Sequence, residues 1–198
     1  QSYPAYAEAS RPFGLSIAGL RKRLNPGEAV LFIQPVGEDI YSFAVSSESQ
    51  AWNKSALSRQ ELDRLVTLVR CRIDRDNCPV ALPDDRLFDP QIANRLYQLL
   101  IKPVLPGLGD AQTLYTVTSG SLSGIPLGLL VTDYDSAKSP TDELAGLAAL
   151  PWLAQRYALA SLPSVSSLRA YDSVKTQHSV AFAGVGDPGA RPQSARAG

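Results

Sequence analysis

Thiolate or hydroxyl chemistry needs a base to take the proton, and this 198-residue chain offers one histidine, His178. His178 precedes a predicted strand in a polar run, where it reads as a solvated loop residue. The run Ser119-Gly120-Ser121-Leu122-Ser123-Gly124 resembles a nucleophile elbow and misses it. A G-x-S-x-G motif starting at Gly120 would need serine where Leu122 stands. Cys71 and Cys78 are spaced too widely for C-x-x-C, and a single histidine leaves no tetrahedral zinc set. The two cysteines are either unrelated thiols or a short-loop disulfide, and a disulfide would imply an oxidising compartment.

Other candidates fare no better. Gly184-Val-Gly186-Asp-Pro-Gly189 fits G-x-G-x-x-G on paper. Pro188 stands before the third glycine, however, and no helical pattern follows to hold a pyrophosphate. Asp84-Asp85 and the pair Asp133 and Asp135 lie in proline- or serine-bearing loops, where solvated turn chemistry accounts for them. Trp52 and Trp152 read as core or rim residues rather than ligand platforms. On this reading the chain has no catalytic, cofactor-binding or metal-binding residue and needs no cofactor.

Composition narrows the partners. Hydrophobic residues make up 44% of the chain, enough for a real core. Lysine plus arginine equals aspartate plus glutamate, so no net charge draws the chain to nucleic acid or an anionic membrane. The basic run Arg21-Lys22-Arg23 reads as the solvated face of a helix. No apolar stretch approaches the ~20 residues of a membrane span. Gln1 opens a chain without methionine, which implies that a leader or a preceding domain has been removed upstream. Together with a disulfide, that would lean toward export, although the compartment stays open.

The elements that must position these residues follow from periodicity and punctuation. Residues 1–14 are a polar, proline-bearing lead-in, and 15–24 have a helical face stopped by Asn25-Pro26-Gly27. Ala29–Gln34 and Ile40–Val45 flank a Gly/Asp turn as a hairpin, which a run from about Gln50 to Leu57 extends into a meander. Ser58-Arg-Gln-Glu61 reads as a capping box for a helix with Leu62, Leu65, Val66, Val69 and Ile73 on one face. Asp89-Pro90 opens a second helix with Ile92, Leu96, Leu99 and Leu100 inward, ended by Pro103. Thr113–Thr118 is a strand, Ser119–Gly124 a loop, and 125–131 returns to the core. Residues 133–149 are an excursion or linker. Gln155–Leu162 is a strand, Ser164 caps a short helix to about Tyr171, and Ser179–Ala183 is a final strand. The class is α/β: a β-hairpin or meander and helices leading into a mixed sheet flanked by helices.

The ordered set of segments resembles the CHAT family, a caspase-like module often attached to tetratricopeptide repeats. The residues that carry the resemblance begin with Pro26-Gly-Glu28 leading into Phe32, Tyr41-Ser-Phe-Ala-Val45, Trp52, and Ser58-Arg59 through Leu62 to Arg70. They continue with Phe88-Asp89, Ala93, Leu96-Tyr97, Leu99-Leu100 and Pro103. Then come Val117 to Leu122 with Ile125-Pro126-Leu127, and Trp152-Leu153 with Arg156 to Leu159. Leu162-Pro-Ser-Val-Ser-Ser-Leu-Arg-Ala170 and Phe182, Gly184, Gly186-Asp-Pro188 complete the set. Thr118-Ser119 departs from the Pro-Asp often found there.

The resemblance covers about residues 15 to 188. It implies an incomplete caspase-like domain: 1–14 a lead-in, 15–188 the N-terminal, non-catalytic half, and 189–198 a disordered tail or linker. The family's catalytic histidine and cysteine lie beyond the Gly186-Asp-Pro188 segment, so neither Cys71, Cys78 nor His178 matches them. The implied role is scaffold and regulatory contact surface for a downstream His/Cys half of a bacterial cysteine peptidase. The implied partners are the remaining C-terminal half or a second protein chain, with tetratricopeptide repeats upstream, and neither nucleic acid nor membrane. On this reading residues 179–185 pair with another polypeptide, since a cut sheet leaves an open edge. The rival readings are a pseudoenzyme interaction module without peptidase activity and an unrelated ligand-binding α/β domain.

Overall fold

Gly37, at φ +61°, turns the chain between two strands of alternating apolar residues, β1 (Glu28–Val36) and β2 (Asp39–Ser46). β2 pairs antiparallel with β1 and with β3 (Gln50–Lys54), which completes the meander. In the computed structural model, which describes residues 16–135 and 143–168, two further strands join this sheet. β4 (Thr113–Thr118) lies parallel to β1, and β5 (Ala158–Ser161) parallel to β4, giving the order β3-β2-β1-β4-β5. The mixed sheet with helices agrees with the α/β reading.

Both faces of β1 are packed, so it reads as a near-continuous apolar run. On the inner face Ala29, Leu31 and Ile33 join Ile40, Ala44 and Leu114. Two helices cover that face, α2 (Arg59–Ile73) and α3 (Pro90–Leu100), through Leu62, Leu65, Val66, Val69, Leu96 and Leu100. A leucine as fully withdrawn from water as Leu96 contributes about 2 kcal/mol. On the outer face Val30, Val45 and Tyr115 lie under Leu20, Leu24 and Leu168.

Helix starts follow the sequence. The Ser58 hydroxyl accepts from the Glu61 N–H at 3.2 Å. The Asp89 carboxylate accepts from the N–H groups of Gln91 and Ile92 at 3.1 and 3.2 Å, with Pro90 in the first turn. The capping box is only half formed, because the Glu61 carboxylate pairs with Arg95 of α3 instead of reaching back. That pair ties the two helices together.

Several expectations need correction. The first helix, α1, is short (Ile17–Arg21), and Leu24 is buried from the turn that follows it. Within the basic run Arg21 is partly spoken for, its Nε donating to the Ser47 carbonyl at 3.0 Å. Ile73 is half exposed, and Cys71 and Arg72 are buried in its place. On α3 the buried set is Ala93, Leu96, Tyr97 and Leu100, with Ile92 and Leu99 at its margin.

Beyond Leu100 the chain continues as a 3₁₀ segment (Lys102–Gly107) laid against β2 and β3. The 133–149 stretch contains a helix, α4 (Glu143–Ala148), none of whose residues is buried. Gln155 and Arg156 belong to α5 (Leu153–Arg156), because the Leu153 N–H donates to the Leu130 carbonyl and turns the chain there. β5 begins only after that turn. Past Ser164 the chain forms a 3₁₀ turn (Val165–Ser167), and the Ser164 hydroxyl contacts Ser166 and Ser167 rather than capping. The expected strand at Ser179–Ala183 lies outside the described residues.

Candidate functional site

Ligand sites in open α/β sheets gather outside the carboxyl ends of the parallel strands. Here those ends belong to β4 and β5, and a groove of about 270 Å³ opens beside them. Thr116, Thr118, Ser123 and Ser161 supply its polar wall, and Ile125, Leu127, Leu162 and Pro163 its apolar one. The Leu162 N–H donates to the Thr116 carbonyl at 2.8 Å, which continues the β4–β5 pairing into the groove wall.

The serine-glycine run forms the rim. Gly120, at φ +66°, makes the sharp turn out of β4 into a 3₁₀ turn (Gly120–Gly124). The Ser123 hydroxyl donates to the Gly120 carbonyl at 2.6 Å. The Thr116 and Ser161 hydroxyls sit 3.4 Å apart. Among the described residues no titratable side chain lines the groove. Hydroxyls without a base can hold a polar backbone in place, and they cannot take a proton from a nucleophile near neutral pH.

The cysteines are bonded to each other. Cys71 and Cys78 form a disulfide, S–S 2.08 Å with Cα atoms 4.8 Å apart, and Cys71 is buried. That resolves the two alternatives left by their spacing in favour of the bridge. The chain has two cysteines in all, so neither is available as a thiolate in this state.

Asp84 is an ion-pair residue rather than a merely solvated turn carboxylate. The buried Arg72 side chain donates to one Asp84 carboxylate oxygen at 2.6 Å and to the backbone carbonyls of Asp84 and Arg86 at 2.8 and 2.6 Å. Arg86 takes the other oxygen through Nε at 2.8 Å. The Arg86 side-chain hydrogen bond holds the Asp84 carboxyl well below the usual range, helped by the Arg86 backbone N–H and by Arg72. An acid whose folded pKa is depressed adds stability above its unfolded pKa of about 4 and loses it as pH falls through the folded value. The urea midpoint should therefore drop on acidification below about pH 4, and Asp84→Asn should flatten that limb. An unchanged acid limb in the variant would remove Asp84 from this role.

Asp85, Asp133 and Asp135 are exposed loop residues. Among the described residues no group of three or more His, Cys, Asp or Glu side chains is placed to hold a metal ion. No described helix is long and apolar enough to cross a membrane. Trp152 packs edge-on against Phe88 at 5.2 Å and donates from Nε1 to the Leu147 carbonyl, so it is a rim residue. Trp52 is 66% exposed. His178 and the Gly184–Gly189 run lie outside the described residues. The groove hydroxyls were not singled out from sequence; the signal available was the strand-end rule applied to Thr113–Thr118 and its parallel neighbour.

A family model described as the CHAT domain matches residues 90–197, from the first turn of α3 onward. No curated protein matches. No solved structure matches either. With more than half of its length inside the family match and a five-stranded mixed sheet flanked by helices, this chain belongs to the caspase-like CHAT domain family.

Proposed function

We propose that this chain serves as the non-catalytic front half of a caspase-like cysteine peptidase domain, with the His/Cys couple supplied by polypeptide outside residues 1–198. The observation that carries this reading is the Cys71–Cys78 bond, which leaves no thiol for a caspase-type nucleophile. In such peptidases the thiolate is activated by a neighbouring imidazole, and a backbone N–H takes the oxyanion. Residues 15–188 act as scaffold and regulatory contact surface, and 189–198 as a tail or linker. The remaining half, or a second protein chain, pairs with residues 179–185 and extends the sheet on the β5 side, where among the described residues β5 pairs only with β4. The hydroxyl groove at that edge then forms one wall beside the catalytic half. The disulfide favours an oxidising compartment.

The test is hydrolysis of a fluorogenic peptide library by this chain and by a longer polypeptide that includes the sequence encoded after Gly198. Cleavage by the longer form alone is the expected result. Cleavage by residues 1–198, lost in Cys71→Ala, Cys78→Ala or His178→Ala, would overturn the proposal. Inactivity of both forms would overturn the peptidase assignment in favour of an interaction module.

A further inference from the structure

Side chains on the outer face of the sheet fall into rows across the strands. One row is Val45, Val30 and Tyr115, buried under Leu20, Leu24 and Leu168. The next row on the same face is Trp52, Phe43, Phe32 and Val117. Phe32 and Phe43 stack at 6.0 Å, and Tyr41 extends the aromatic surface with its ring 6.4 Å from Phe43. Burial falls from Val117 at one end of the row to Trp52 at the other. Val117 is 4% exposed, Phe32 and Phe43 are half-buried, and Trp52 is 66% exposed. An apolar run of this kind, continuous with a covered row and open at its far end, marks an interaction surface.

We propose that residues 1–15 of this chain lie along the Phe32–Phe43–Trp52 row and cover it. Three observations favour this occupant. First, the segment joins the chain at Ser16, the cap of α1, and Leu20 of α1 already sits in the cluster over the adjoining row. Second, the chemistry fits, because the segment holds Tyr3, Tyr6 and Phe13 with Pro4 and Pro12. Proline-bearing stretches dock on aromatic surfaces at low entropic cost. Third, the reach suffices. Adjoining rows on one face are about 7 Å apart and Trp52 is two strand spacings, about 10 Å, from Phe32, whereas fifteen extended residues span up to about 50 Å. This proposal stands apart from the peptidase reading and does not depend on it.

Trp52 is its own reporter. In a Trp152→Phe background it is the sole tryptophan, since the chain has two. Acrylamide quenching of Trp52 should rise several-fold, with a red-shifted emission, when residues 1–15 are removed. Equal quenching with and without the segment would overturn the proposal. So would a rise caused only by removing residues 169–198, or shielding that vanishes on dilution, which would assign the row to a second copy. Should the shortened chain lose its native circular dichroism, Tyr6→Asp with Phe13→Asp in the full chain decides: quenching rises if the segment covers Trp52 and stays unchanged if it does not.

Discussion

Gly107→Ala is expected to cost about 3 kcal/mol or more of stability, read as a collapse of the urea midpoint. A Cβ at Gly107 would stand 2.4 Å from the Ala51 nitrogen and 2.5 Å from the Ala44 carbonyl oxygen. Both are backbone atoms of paired strands, β2 and β3, so neither can swing aside as a flexible side chain would. The 3₁₀ segment must then lift off the sheet, and Val104 and Leu108, both fully buried, go with it. Cavity and strain costs add in that case, which is why the effect exceeds that of an ordinary overpacked site. Gly37→Ala is the control. Beyond its two chain neighbours nothing lies within 4 Å of its added Cβ, so only the strain of φ +61° remains, roughly 1 kcal/mol. Equal losses in the two variants would mean that the 3₁₀ segment does not rest on the sheet as described.

Breaking the Cys71–Cys78 bond is the second large effect. Closing so short a loop restricts the unfolded chain by about 2.5 kcal/mol, and reduction gives that up. The consequence should be local as well. Arg72, next to Cys71, is the post around which residues 84–86 fold, and Arg75 adds hydrogen bonds to the carbonyls of Asp85 and Arg86 at 3.0 and 2.6 Å. From there the loop delivers Phe88 into the core and Asp89 to its cap on α3. Freed from the bridge, residues 74–87 should exchange amide hydrogens faster while the sheet keeps its protection. Dithiothreitol should lower the urea midpoint of the native chain to that of Cys78→Ser, and should leave the variant unchanged. A midpoint indifferent to reductant would count against the bridge as a structural bond.

What the sequence disclosed was local. Thr113–Thr118 is bounded on both sides by turn chemistry, so its ends were legible to the residue. The Ser58 and Asp89 caps are short-range signals and were equally plain. What it hid was non-local. Helical periodicity admits either Arg72 or Ile73 to the inner face, and the burial of an arginine is decided by Asp84, twelve positions on. Glu61 was assigned to its own helix start, whereas the competing partner, Arg95, arrives from another helix.

The candidate site was less legible than the fold. Its polar wall joins Thr116 to Ser161 across 45 positions, and neither residue carries a chemical signature alone. The family match begins at residue 90, while the quoted resemblance begins about residue 15. Short motifs in the meander carried that earlier portion.

Intact-mass analysis after treatment with a cysteine-directed peptide electrophile, without reductant, is the most direct test of where the nucleophile lies. Residues 1–198 should gain no adduct, and a longer polypeptide holding the rest of the domain should gain one at a cysteine beyond this sequence. An adduct on Cys71 or Cys78 that disappears in His178→Ala would place the catalytic couple inside this chain and contradict its assignment as scaffold.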